Sequence, residues 1–209
     1  MKKDNLKQII SPIASLRKNM SNSSELETQC LFGEKVFIES SKNNWLLCKT
    51  LTDAYKGWIE KKNVDIVTSS SHKIINLISN IYKKPDVKSE VITKLYFHSL
   101  VSINDFDETW SQIHYKNKNY YISSKHLAPI KKINKKWMDV AYSFLGAPYL
   151  WGGKTYIGID CSGLVQLALS ESGILIPRNT DEQAKNPHNR LKTVSKIDKG
   201  CLIFWKGHV

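Results

Sequence analysis

Up to about residue 130 the chain alternates short β-branched and aromatic runs with Ser, Asn, Asp and Gly. A period of two with frequent turn residues predicts short strands rather than helices. KVFIES (35–40), WLLCK (45–49) and GWIE (57–60) read as three of those strands. Beyond a Lys/Pro linker at 129–134 the period changes. Trp137, Val140, Ala141, Phe144 and Leu145 form an i, i+3, i+4, i+7, i+8 stripe, an amphipathic helix stopped by Gly146. Cys161, Leu164, Val165, Ala168 and Leu169 repeat that spacing up to Gly173, a second helix stop. An extended segment follows at 174–178, and Thr180 to Gln183 resembles a capping box opening a short helix. Residues 191–198 lead to Gly200, and Leu202-Ile203-Phe204-Trp205 reads as a buried strand.

The strand-rich part is self-similar. Leu26, Thr28, Phe32, Val36, Ile38 and Trp45 recur as Val91, Thr93, Phe97, Val101, Ile103 and Trp110 at a constant offset of 65. After a shorter loop, Trp58, Ile59 and Val64 recur as Tyr121, Ile122 and Leu127 at an offset of 63. A single offset over so many positions predicts a duplicated β unit, two small barrels at 12–68 and 72–130, rather than a solenoid. The first copy has Gly33 and Gly57; the second has His98 and Tyr120 or Tyr121 near those places and reads as a degenerate, structural repeat. Trp45, Trp58 and Trp110 are expected in the cores. Tyr55, in the turn before Gly57, is the better candidate for a ligand contact.

Bulk properties narrow the functional classes. The 209 residues are 41% apolar and 24% charged, ordinary for a folded protein. The net charge of +12 is spread through many Lys residues. Without a reading motif, it predicts a solvated surface and no nucleic-acid partner. No secretory or membrane-spanning apolar run occurs, so a cytoplasmic chain without a membrane partner is expected. Cys30, Cys48, Cys161 and Cys201 are scattered, with no CxxC. That spacing argues against a disulfide framework, a zinc site or any other metal or cofactor.

The chemistry concentrates in GAPYLWGGKTYIGIDCSGLVQ (146–166). Cys161 falls at the first turn of its helix, where free N–H groups and the helix dipole favour thiolate over thiol. The spacing leaves two readings open, a nucleophile or a small core cysteine at a strand-to-helix turn. A nucleophilic cysteine needs an imidazole on a rigid element within hydrogen-bond reach. His72, His98, His114 and His126 lie in the repeats and His188 in a polar loop. His208 is the best partner.

Taken together, PYLWGG (148–153), DCSGLVQ (160–166), PRNT (177–180) and GHV (207–209) resemble the NlpC/P60 family of papain-like peptidoglycan cysteine peptidases. Each repeat resembles a bacterial SH3-like (SH3b) domain, the first through GEKV (33–36), Trp45 and YKGWI (55–59). The resemblance implies an α+β chain: two small SH3b-like β-barrels, then a papain-like catalytic domain at 135–209. It is similar to γ-D-glutamyl-L-diamino-acid endopeptidases that trim muropeptides.

From that resemblance Cys161 is the nucleophile attacking the amide after γ-D-Glu, and His208 the general base and then acid. Asp160 receives the free amine of L-Ala, Ser162 positions substrate, Tyr55 closes the pocket, and Trp151 in the aromatic loop shapes the cleft. Arg178 meets a substrate carboxylate or buttresses its loop. The partner is then a muropeptide, the enzyme a monomer. Cys201 stands where the family has Asp, and is expected to be a packing change. The family continues past this histidine into further core strands and a third polar residue, so a C-terminally truncated domain is expected. The alternatives are an inactive relative that only binds muropeptides, and an acyl-transfer relative, which the SH3b units disfavour.

Overall fold

The computed structural model describes residues 5–133, 136–185 and 197–209. Seven strands build the first unit: β1 (Leu6–Ile9), β2 (Ile13–Arg17), β3 (Leu26–Leu31), β4 (Lys35–Lys42), β5 (Trp45–Thr50), β6 (Lys56–Glu60) and β7 (Val64–Asp65). They pair antiparallel in the order β3-β2-β6-β5-β4-β1-β7. Alternation along each strand sends Leu16, Cys30, Val36, Leu46, Cys48 and Ile59 into one core.

The second unit repeats the plan with β8 (His72–Ile74), β9 (Ile78–Tyr82), β10 (Val91–Tyr96), β11 (Leu100–Val101), β12 (Ile103–Phe106), β13 (Trp110–Tyr115), β14 (Lys118–Ser123) and β15 (Leu127–Pro129). β3 and β10, like β5 and β13, superpose at the offset of 65 read from the sequence. Here the ladder splits into a five-stranded sheet, β10-β9-β14-β13-β12, and a three-stranded one, β11-β8-β15. Neither copy forms a closed ladder among the described residues, which departs from the barrels expected. The tryptophans depart too. Trp45, Trp58 and Trp110 are only half-buried, because Leu46, Ile59 and Ser111 beside them take the inward phase of their strands.

The turn after β3 holds Gly33 at φ +85, and its counterpart after β10 is His98 at φ +69. A Cβ on Gly33 would lie 2.2 Å from the Leu100 carbonyl oxygen of the second unit. The two copies meet there, with Leu100 N–H donating to the Phe32 carbonyl at 2.7 Å.

The third unit has α1 (Trp137–Ser143), a hairpin of β16 (Lys154–Thr155) and β17 (Gly158–Ile159), then α2 (Cys161–Glu171) and α3 (Thr180–Ala184). Val140, Phe144, Ile159, Leu167 and Ala168 form its core together with Phe97 from the second unit. Three local expectations change. Helix α1 ends at Ser143, so Leu145 falls beyond the stripe and is 73% exposed. Thr180 opens α3 from inside the helix; Asn179 is its N-cap and makes no side-chain cap bond. Residues 202–205 form no strand, and Ile203 is 60% exposed. An apolar run becomes a strand only where a neighbour takes up its backbone groups, and the backbone partner of Trp205 is His208, across a tight turn. Residues 191–196 of the expected lead-in, and His188, lie outside the described residues. No helix among the described residues is long and apolar enough to cross a membrane.

Candidate active site

The β16–β17 hairpin delivers Asp160 in extended backbone (φ −100, ψ 173) as the N-cap of α2. Its Oδ1 accepts from the Gly163 N–H at 2.7 Å, satisfying one of the orphan donors of the first turn. A Cβ on Gly163 would sit 2.6 Å from the Gly153 carbonyl, so the close approach of helix and loop requires glycine. Cys161 is the first helical residue and half-buried. Its Sγ lies 3.8 Å from Thr180 Oγ1, its hydrogen-bonding neighbour among the described residues.

Beneath the cysteine lies a buried polar knot. Arg178, only 2% exposed, grips Asp160 bidentately at 2.9 and 2.7 Å. It also donates to Ser162 Oγ at 2.9 Å, to the Gly153 carbonyl at 3.3 Å, and through Nε to Thr28 Oγ1 on β3 at 2.8 Å. Every face of the guanidinium is used inside the protein. The second Asp160 oxygen also accepts from the Gly152 N–H at 2.8 Å. Asp160, Ser162 and Arg178 thus come together as predicted candidates, but as the floor of the cleft rather than its lining.

The first unit carries a cavity that Cys161 itself does not line. It encloses about 460 Å³ and is lined by Glu27, Asp53, Tyr55, Lys56, Trp58 and, from α3, Glu182 among others. The Tyr55 hydroxyl donates to Glu27 Oε2 at 2.7 Å. Burial, and then the bond to Glu27, push its phenol up to about 12. The loop carrying Tyr55 is tied to the cysteine helix: Gln166 Nε2 donates to Asp53 Oδ2 at 2.8 Å, and Asp53 Oδ1 accepts from the Tyr55 N–H at 3.2 Å and from the Thr50 hydroxyl. Burial raises the Asp53 carboxyl, but Lys154 and these hydrogen bonds outweigh it and hold it below its ordinary value. Lys154, itself buried, pairs with Glu34 of the first unit at 3.0 Å.

Trp151 is 58% exposed on the rim, beside Tyr149, whose phenol is raised by burial and then by Cys161 and Asp160. Among the described residues no hydrogen bond joins His208 to Cys161. His208 stands exposed in the terminal turn, its N–H donating to the Trp205 carbonyl at 2.8 Å and its ring 5.7 Å from that of Trp205. Cys201 Sγ accepts from the Asp198 N–H at 3.3 Å, a local turn contact. Sequence reasoning missed Glu27, Asp53 and Gln166. Gln166 closes the DCSGLVQ run and carried a local signal; Glu27 and Asp53 sit in repeat loops and carried none. Among the described residues no group of three or more His, Cys, Asp or Glu could hold a metal ion.

Two parts of the chain match known families. Residues 146–209 match the NlpC/P60 family, and residues 16–64 match the bacterial dipeptidyl-peptidase Sh3 domain. The chain is 28% identical to dipeptidyl-peptidase 6 of Lysinibacillus sphaericus, over 96% of this chain and 82% of that protein. It is 25% identical to the γ-D-glutamyl-L-lysine dipeptidyl-peptidases of Bacillus cereus and Bacillus subtilis. It spans 62% and 61% of their lengths, less than two-thirds of either. An NlpC/P60 family protein from Bacillus cereus shares the fold, with a TM-score of 0.73 at 18% identity over 87% of this chain and 77% of that one.

Proposed function

We propose that this chain, which carries an NlpC/P60 cysteine-peptidase domain behind a bacterial SH3 domain, hydrolyses the γ-D-glutamyl–diamino acid bond of muropeptides that begin with a free L-Ala. The observation that carries the reading is the joint between α2 and the first unit. Gln166–Asp53 and Arg178–Thr28 hold a charged cavity, with the Tyr55–Glu27 pair inside it, beside the helix that starts at Cys161. A zwitterionic peptide needs such a cavity, and an ammonium group needs a carboxylate.

In this reading Cys161 Sγ attacks the γ-carbonyl carbon of D-Glu, and its proton passes to His208, which has to leave its place beside Trp205 to receive it. The Cys161 N–H stabilises the oxyanion, the C–N bond breaks as the proton reaches the leaving amine, and water then hydrolyses the thioester. Asp160 is already paired with Arg178, so Glu27 with Tyr55 takes the substrate ammonium while Asp160 fixes the floor. Trp151 flanks the peptide at the rim. The enzyme works as a cytoplasmic monomer on recycled wall peptides, which cell fractionation and light scattering check.

The test is cleavage of L-Ala-γ-D-Glu-L-Lys by the purified chain. Turnover is expected in the wild type and absent in Cys161→Ala; a folded wild type without turnover contradicts the reading. The exposed position of His208 favours one other reading, a relative that binds such peptides without cleaving them. Calorimetry separates the two, since binding without turnover supports only the second.

A further inference from the structure

The second repeat has a cavity of its own, away from the cysteine. It encloses about 490 Å³ and is lined by Asn80, Tyr82, Thr109, Trp110, Ser123 and His126, with Ile78 and Val87 at its edges. Its size is that of a small-molecule site. Its chemistry is the reverse of the first cavity. No Lys, Arg, Asp or Glu lines it, whereas Lys18, Glu27, Asp53, Lys56 and Glu182 line the other.

The two cavities occupy different places in their repeats, and the second is uncharged where its counterpart in the first repeat carries Arg17 and Glu60, neither of which lines the first cavity. At the offsets established above, Tyr82 stands where the first repeat has Arg17, and Ser123 where it has Glu60. The strand register is the same in both, since Trp45 faces Glu60 and Trp110 faces Ser123 across the ladder. Tyr82 and Trp110 meet edge to face, with ring centroids 5.4 Å apart and planes at 87°, and so make a corner. Around it stand an amide, two hydroxyls and an imidazole. His126 Nδ1 is buried with no hydrogen-bond partner among the described residues, which calls for one. Burial holds the His126 imidazole below its ordinary value, which favours its neutral form.

We propose that this corner is a binding site for a neutral pyranose sugar. One apolar face of the ring lies on Trp110 with Tyr82 at its edge, and the hydroxyls meet Asn80, Thr109, Ser123 and His126. The absence of charge excludes phosphates and carboxylates as the main determinant. A peptide strand has no free edge to join here, because β9 and β13 both lie inside the sheet order. A right-angled aromatic pair also lacks the flat, parallel platform that an extended proline-rich helix rests on. A compact ring fits a corner.

The test is an NMR titration of the full chain with N,N′-diacetylchitobiose, and separately with a proline-rich peptide. The wild type is compared with Ser123→Glu, which restores the first repeat's residue opposite the tryptophan and so keeps a pairing this fold already tolerates. Saturable shifts of the Trp110 indole N–H and the His126 ring, with half-saturation at about 1 mM and weakened about tenfold or more in Ser123→Glu, are expected. A matching thermal melt for the variant ties that loss to the site rather than to folding. The proposal is overturned if these resonances do not move at about 50 mM disaccharide, if Ser123→Glu binds as the wild type does, or if only the peptide moves them.

Discussion

The two repeats share a strand plan and grip the same helix, α2, at different places. The first holds its middle through Gln166–Asp53, and its N-cap Asp160 through Arg178, which also bonds Thr28. The second holds its last turn, where Glu171 accepts from Lys73 and His98, each at 2.7 Å. The first kept a glycine at its tight turn and a charged cavity. The second placed a histidine at the same turn and uses that side chain as a tether. One scaffold thus carries two different contacts to α2.

The joint of the first repeat is the most costly to break. Arg178→Ala leaves the buried Asp160 carboxylate unpaired, and a loss of about 3–5 kcal/mol in chemical denaturation is expected. Gly33→Ala comes next. It adds a positive-φ penalty to a clash with the Leu100 carbonyl at 2.2 Å, together about 2–4 kcal/mol. The matching change in the second repeat, His98→Gly, relieves its backbone strain but removes the bond to Glu171. A net loss of only about 1 kcal/mol is expected, so equal losses at the two turns would erase the contrast.

The smallest effect is a pH dependence. Burial raises the Glu171 carboxyl, yet the bonds from His98 and Lys73 outweigh it and hold it below its ordinary value. The unfolded chain therefore takes up this proton first as pH falls. The tether's contribution is intact above the ordinary glutamate range and fades as pH drops through the lowered folded value. Urea melts at a series of acid pH values should show this slope in the wild type and a shallower one in Glu171→Gln.

Much of this was legible in the chain. The duplication shows because Trp45 and Trp110 recur with their neighbours at one offset, and strand geometry preserves such spacing. The cysteine helix shows because Leu164, Val165, Ala168 and Leu169 follow a period of 3.6 behind an acidic N-cap. The inward phase of the tryptophan strands did not, since an alternating pattern with apolar residues on both faces fixes period but not side. The ties from Arg178 to Thr28 and from Gln166 to Asp53 join residues far apart in sequence, and no local rule connects them. Residues 202–205 carry strand propensity, but a strand also needs a neighbour, and propensity does not supply one.

The central claim is that the first repeat reads the substrate's amine in front of Cys161. It is tested most directly by comparing hydrolysis of L-Ala-γ-D-Glu-L-Lys with that of the same peptide acetylated at its N-terminus. Release of L-Lys from the free-amine peptide, and loss of about two orders of magnitude in kcat/KM on acetylation, is the predicted result. Equal rates on both peptides, or none on either, would contradict it.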